Sequence, residues 1–86
     1  MMKVWQPTSE EIKRTENWGI WKKEASEFDW YYDEPEMCYI LKGKATVTDR
    51  AGNTITFKAG DMVKFEQGLT CTWKISENIE KRYYFG

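Results

Sequence analysis

Histidine is absent from this 86-residue chain, so carboxylates, thiols, amines and phenols must supply any acid–base or nucleophilic chemistry. No Ser-His-Asp or Cys-His catalytic set can form, and a histidine-based metal site or an imidazole pH switch is excluded as well. Four carboxylates stand close together in the sequence, at Asp29, Asp33, Glu34 and Glu36. Two thiols stand apart, at Cys38 and Cys71. Paired carboxylates can act as acid and base in glycoside hydrolysis, and a thiolate can act as a nucleophile or a metal ligand.

Most of the carboxylate cluster is predicted to face solvent. Alternation along an extended strand points Asp29 away from the face that carries Trp30, and Asp33-Glu34-Pro35 is a turn signal. A solvated loop therefore explains these acids better than a glycosidase-like pair. Glu36 is the acid that remains for chemistry, and its role depends on the elements around it.

The charge balance argues against a nucleic-acid partner. The chain carries 13 Lys and Arg against 14 Asp and Glu, a net charge of −1, whereas nucleic-acid-binding domains usually carry a basic excess. The basic pairs Lys22-Lys23 and Lys81-Arg82 are predicted as solvated strand edges rather than phosphate sites.

Location in the cell follows from what the sequence lacks. No apolar run approaches the roughly 18 residues that a membrane span needs. The N-terminal residues also lack the apolar core of a signal peptide. With only two cysteines we expect a soluble cytoplasmic protein with free thiols, while a Cys38–Cys71 disulfide stays open as an alternative.

One short helix and a series of strands must position these residues. Thr8 and Glu11 have capping-box spacing, which predicts a helix of one or two turns that buries Ile12. Downstream, apolar and alternating runs separated by turn residues predict about eight strands. These are Trp18–Trp21, Phe28–Tyr32, Met37–Leu41, Ala45–Thr48, Thr54–Phe57, Met62–Phe65, Thr70–Ile75 and Lys81–Phe85.

Strands of this number and spacing predict an all-β fold, and in 86 residues a small jelly-roll barrel is the economical solution. We expect a single domain over residues 1–86. Residues 1–17 would form an N-terminal arm with the short helix, and residues 18–86 the β-barrel.

Glycine and glutamate spacings in the strand region resemble those of the cupin superfamily. Glu36, followed after six residues by Gly43, matches the end of the first cupin motif, and Gly60 and Gly68 keep the glycine spacing of the second. The aromatic strand 28–32 and the Cys-x-Trp-Lys strand look like the small single-domain cupins grouped with (S)-ureidoglycine aminohydrolase and the ethanolamine-utilisation cupin. The resemblance implies a conical jelly-roll barrel, often paired into dimers.

The resemblance also locates the positions that hold metal in other cupins. The histidine positions fall on Trp30, Tyr32 and Cys71, so three ligands are replaced, while Glu36 keeps the glutamate position. Glu36 and Cys71 alone fall short of the three protein ligands that catalytic zinc normally takes. We therefore predict no metal site and no other cofactor.

In the cupin register these positions surround the mouth of the barrel. The predicted ligand pocket consists of Trp30, Tyr32, Glu36, Cys38, Cys71 and Trp73. Aromatic rings around Glu36 would desolvate its carboxyl group. The role of Glu36 is then that of a general acid or base, of an anchor for a ligand amine, or of a hydrogen-bonded structural residue. The rings can form a cage for a planar or cationic ligand, or can simply fill the barrel. Each thiol can be reactive or a small buried apolar residue.

Three functions stay open on the sequence. The first is a small-molecule-binding or structural module with an aromatic pocket around Glu36. The second is an (S)-ureidoglycine aminohydrolase-like enzyme with Glu36 as acid and base and Cys71 as unusual ligand or nucleophile, so enzymatic activity is undecided. The third is a filled barrel that acts as a homodimeric interaction protein, through an outer threonine-rich face with Tyr31, Tyr39 and Leu41.

Overall fold

Two long antiparallel strands carry the fold, and every other strand pairs with one of them or with its neighbour. The structure, a computed structural model, describes residues 1–86. Its elements in chain order are β1 (Met2–Trp5), α1 (Ser9–Arg14), β2 (Gly19–Lys23), β3 (Ser26–Tyr31), β4 (Glu36–Asp49), β5 (Thr54–Lys58), β6 (Met62–Phe65) and β7 (Thr70–Phe85). No helix of the chain has the length and apolarity needed to cross a membrane.

The long strands β4 and β7 pair with each other along almost their whole lengths, and each changes its outer partner halfway. The first part of β4 pairs with β6 and the second with β5, while the first part of β7 pairs with β3 and the last with β2. Two strand sets result, β1-β6-β4-β7-β2 and β5-β4-β7-β3. Because β4 and β7 run through both sets, the sets enclose one core, and the all-β prediction is confirmed.

A bend at Gly43 takes β4 from one strand set into the other. The β4–β7 register is irregular between Ile40 and Ala45, and Gly43 has a φ of 91°. A Cβ at Gly43 would lie 2.2 Å from the backbone carbonyl oxygen of Asn78 on β7. Only glycine fits this conformation and this close approach, so the bulge depends on it.

The core lies between the two strand sets. On β4 and β7 its residues occupy alternate positions, as a strand with one buried face requires. These residues are Cys38, Ile40, Ala45, Val47, Cys71, Trp73, Ile75 and Ile79. Lys81 continues the same alternation on β7 and is also buried.

Two features of the strand prediction differ from the structure. β4 and β7 each join two predicted strands, because pairing between them continues past the bulges that Gly43 and its neighbours introduce. β1 lies inside the segment 1–17 that was expected to hold only an arm and a helix. Four residues carry too little alternation to identify a strand, and β1 is held in place by pairing with β6, far along the chain.

The helix prediction is confirmed at its N-terminus. The Thr8 hydroxyl accepts a hydrogen bond from the Glu11 amide at 3.2 Å, and the Glu11 carboxylate accepts one from the Thr8 amide at 2.9 Å. Helix α1 buries no residue fully, so Ile12, expected to be buried, is only half-buried.

Candidate functional site

An aromatic cavity of about 220 Å³ opens from the barrel interior to the surface. Seven of its nine lining residues are hydrophobic. The lining residues are Trp21, Phe28, Trp30, Tyr32, Glu36, Trp73, Lys81, Tyr83 and Phe85. An apolar cavity with a few convergent polar groups is the usual form of a small-molecule site.

The polar groups of the cavity form a buried ion pair. Lys81 Nζ lies 3.0 Å from Oε2 and 3.3 Å from Oε1 of Glu36, and the two side chains are only 6% and 4% exposed. Both residues lie on the inner faces of β4 and β7. The pair is neutral as a whole, so it places two full charges beside the cavity without giving it a net charge.

The ammonium group of Lys81 also contacts aromatic rings and a thiol. Nζ lies 4.7 Å from the ring centroid of Trp21 and 4.8 Å from that of Trp73, within the range of cation–π attraction. Nζ lies 3.5 Å from Cys38 Sγ as well. The position that a cationic ligand would take between these rings is therefore occupied by the protein's own lysine.

Stacked and hydrogen-bonded rings hold the cavity walls. Trp73 stacks on Phe28 with centroids 6.0 Å apart, and its indole N–H donates to the Tyr32 hydroxyl at 3.2 Å. Tyr32 in turn stacks on Phe65 at 4.8 Å. Burial, together with the negative charge of Glu36, raises the pKa of the Tyr32 phenol, so Tyr32 stays neutral. No buried side-chain nitrogen or oxygen lacks a hydrogen-bond partner.

The structure brings four of the six predicted pocket residues to the cavity. Tyr32, Glu36 and Trp73 are buried in its wall. Trp30 lines the cavity too, but it is 49% exposed rather than directed fully inward. It lies next to the end of β3, where the mouth of the cavity opens to solvent.

The two cysteines do not reach the cavity surface, which differs from the predicted pocket. Both are free and fully buried in the core. Cys38 lies behind the ion pair, and Cys71 Sγ contacts the Trp30 carbonyl oxygen at 3.6 Å. Burial raises the pKa of Cys71 to about 11, and burial raises that of Cys38 well above its usual range. Both side chains remain thiols at neutral pH.

Lys81 is the site residue that sequence reasoning missed, and its prediction as a solvated residue is wrong. Lys81 is 5% exposed, whereas its neighbour Arg82 is half-buried and donates a hydrogen bond to the Thr15 hydroxyl at 3.0 Å. Counting alternate positions along β7 from Cys71 through Ile79 would have placed Lys81 inside. Trp21, Phe28, Tyr83 and Phe85 were missed as lining residues as well.

A metal ion does not fit this site. No group of three or more Cys, Asp or Glu residues is arranged to hold one. Both oxygens of Glu36 accept hydrogen bonds from the Lys81 ammonium, whose positive charge opposes a second cation. The carboxylate cluster is also dispersed, because Asp29 faces solvent and pairs with Arg50 at 3.5 Å.

The outer face is rich in threonine, as predicted. Thr46 bonds to Thr56 at 3.1 Å and Thr48 to Thr54 at 3.0 Å, through hydroxyl groups on the outside of the β4–β5 pair. Tyr31 is exposed, whereas Tyr39 and Leu41 are half-buried within the chain itself.

Comparison with known proteins gives the chain a family and a fold. The family model described as EutQ-like cupin domain matches residues 10–83. The crystal structure of a DUF861 family protein from Thermotoga maritima is 46% identical, covers 100% of both chains and superposes with a TM-score of 0.97. No curated protein matches the sequence.

Two more distant structures share the fold. The EutQ protein of Clostridium difficile is 16% identical over 78% of this chain and 52% of its own, with a TM-score of 0.71. A putative ethanolamine utilization protein Q from Salmonella typhimurium is 19% identical over 98% of this chain and 68% of its own, also with a TM-score of 0.71. These comparisons confirm the jelly-roll architecture that the glycine spacings implied.

Proposed function

The chain belongs to the EutQ-like cupin family, and from that premise we propose that it is a small-molecule-binding module whose ligand occupies the aromatic cavity beside Glu36 and Lys81. The observation that carries the proposal is a buried, neutral ion pair in the wall of a cavity that is otherwise almost entirely aromatic. Such a pair gives an apolar pocket one strong donor and one strong acceptor.

The size of the cavity limits the ligand. An apolar cavity of about 150 Å³ is large enough for benzene. The 220 Å³ found here therefore suit one substituted ring or a molecule of comparable volume. The alternative of a completely filled barrel is less well supported, because this space remains between the rings.

The charge of the ion pair limits the ligand further. An ionic ligand would bring a third charge into a desolvated site where the two existing charges already neutralise each other, and an unpaired buried charge is costly. A neutral ligand with a flat apolar part and one polar end avoids this cost. Its carbonyl or hydroxyl oxygen can accept from Lys81 Nζ while the apolar part contacts Trp73 and Phe28.

The aminohydrolase-like alternative has less support. It needs Cys71 next to the ligand, as an unusual ligand or a nucleophile. Cys71 lies outside the cavity lining, and burial raises its pKa, so it remains a thiol. The predicted homodimer is tested separately, by size-exclusion chromatography with light scattering.

The binding proposal is tested by titration with benzamide, benzoate and benzylammonium, followed by the NMR signals of the tryptophan indole N–H groups. We expect benzamide to shift the signals of Trp21 and Trp73, and the two charged probes to have a much smaller effect. The signal of Trp5, outside the cavity, is the internal control. Failure of all three probes to shift the cavity signals would contradict the proposal.

A further inference from the structure

Lys81 differs from every other lysine in the chain. The other nine lysines are exposed, whereas Lys81 lies in the cavity wall with its amine against a carboxylate. An amine attacks a carbonyl carbon only after its nitrogen has lost a proton, and an exposed lysine has no held base beside it to take that proton. A buried lysine next to a proton acceptor can lose its proton to that acceptor without contact with bulk water.

We propose that Lys81 is a carbonyl-reactive amine, which forms a Schiff base with a small aldehyde that enters the aromatic cavity, and that Glu36 carries the protons for this reaction. The proposal rests on the binding function above, because the aldehyde must occupy the same cavity. It assigns a covalent chemistry to the site that simple binding does not require.

The first steps are addition and proton transfer along the contact between the two side chains. Lys81 Nζ gives one proton to Glu36 Oε2, 3.0 Å away, and becomes a neutral amine. The nitrogen lone pair then forms a bond to the aldehyde carbon, and the carbonyl electron pair moves to oxygen, which takes the proton back from Glu36. The product is a carbinolamine whose nitrogen still carries one positive charge.

Dehydration completes the reaction. The nitrogen gives a second proton to Glu36, which passes it to the hydroxyl group, and this group leaves as water while the nitrogen lone pair forms the C=N bond. The net reaction converts an aldehyde and an ammonium group into an iminium ion and water. No oxidant or reductant is needed, and Glu36 ends as a carboxylate.

The surroundings of Lys81 fit the product as well as the resting state. The iminium nitrogen keeps one positive charge beside Glu36 and between Trp21 and Trp73, so the ion pair and both cation–π contacts persist. The neighbouring Cys38 does not compete for the aldehyde, since burial keeps it a thiol. The remaining space suits the single ring of an aromatic aldehyde.

The experiment uses benzaldehyde with sodium cyanoborohydride at neutral pH, which reduces a Schiff base to a stable benzylamine that is located by peptide mass spectrometry. In the unmodified protein we expect Lys81 to be labelled about tenfold faster than any exposed lysine, because Glu36 is held beside the amine and the cavity holds the aldehyde carbonyl close to it. This comparison is internal to one folded protein. Lys74→Arg, on the outer face of β7, should leave the rate at Lys81 unchanged, and Lys81→Arg should remove the fast phase.

Two further arms separate this inference from the binding proposal. Benzyl alcohol, which has the same ring but no carbonyl, should slow labelling at Lys81 and not at exposed lysines. Unfolding in urea should remove the advantage of Lys81. Labelling of the exposed lysines with none at Lys81 would overturn the inference, and benzamide binding measured in parallel would still stand. If Lys81 is labelled fast but benzyl alcohol does not slow the labelling, the aldehyde does not react from within the cavity, and the inference is overturned.

Discussion

Lys81 reaches Glu36 diagonally across the β4–β7 ladder: its Cα partner is Ile40, whereas Glu36 pairs with Phe85, yet Nζ and Oε2 lie 3.0 Å apart. The carboxylate therefore lies four residues along β4 from the position opposite the lysine. The contact links two different levels of the barrel, and it needs the full length of the lysine stem.

Removal of one partner from this ion pair should destabilise the fold. Glu36→Gln leaves the Lys81 ammonium buried without a counter-charge, and we expect a loss of about 3–5 kcal/mol in the free energy of unfolding. Urea denaturation followed by circular dichroism measures it. Lys81→Met should cost a similar amount, because it leaves the carboxylate buried alone.

The double variant provides the control for that prediction. Glu36→Gln with Lys81→Met removes both charges, so its loss should be clearly smaller than the sum of the two single losses. Additive losses would mean that the two side chains do not stabilise each other in solution.

Replacement of Trp30 should weaken ligand binding while leaving the stability of the fold almost unchanged. Because Trp30 is 49% exposed at the cavity mouth, Trp30→Ala should change the unfolding free energy by only about 0.5 kcal/mol. The loss of an aromatic wall should weaken benzamide binding by up to about tenfold. Calorimetry and denaturation on the same samples give both values. Trp73→Ala, a core change, should instead cost about 3–5 kcal/mol, and equal losses of stability for the two variants would contradict the assignment of Trp30 to the mouth.

The bend in β4 can be tested with a matched pair of glycines. Gly43 and Gly52 have nearly the same φ, 91° and 89°, but only at Gly43 does an added Cβ meet the backbone. Gly52→Ala should lower the free energy of unfolding by only about 1–2 kcal/mol, the cost of placing a residue with a Cβ in the left-handed conformation. Gly43→Ala should cost clearly more, because Asn78 must move. Thermal unfolding compares the two, and equal melting temperatures would show that β4 does not need a close approach at Gly43.

Alkaline pH should destabilise the protein partly through Cys71. The folded thiol has a pKa of about 11, against an ordinary value of 9.0. Between these values the unfolded chain loses its thiol proton and the folded chain keeps it, so stability falls as pH rises. This contribution is complete below about pH 9 and is lost through about pH 11.

The measurement compares Cys71→Ala with the unmodified sequence. The variant loses a constant amount of stability from its smaller side chain, but its unfolding free energy should fall less steeply between pH 9 and 11. Parallel pH curves for the two proteins would show that Cys71 ionises as easily in the folded state as in the unfolded one.

The sequence predicts the architecture and one half of the site well. Alternation and glycine spacing identified most strands, and the position of Glu36 before Gly43 placed its carboxylate on the inner face. Such signals are local, since they need only a few consecutive residues or a fixed spacing. The short strand β1 was not predicted, because its strand conformation depends on pairing with β6, some 60 residues away.

Lys81 escaped for a related reason. A Lys-Arg pair is typical of a solvated strand edge, and the carboxylate that makes the burial of Lys81 tolerable lies 45 residues away in the sequence. For Trp30, alternation predicted the correct face of the strand, but the exposure of its side chain depends on where β3 ends. The burial of Lys81 and the exposure of Trp30 both depend on how the strands lie relative to one another, which a single sequence does not show.

Four of the nine cavity residues, Trp73, Lys81, Tyr83 and Phe85, come from the single strand β7. A deletion of one residue between Trp73 and Lys81 would reverse the alternation of everything that follows it. Lys81 would then turn outward, and Glu80 or Arg82 would face the rings in its place. The number of residues between Trp73 and Lys81 thus decides whether charged or aromatic side chains of β7 face the cavity as they do here. Relatives in which this number differs by one should have lost or replaced the lysine.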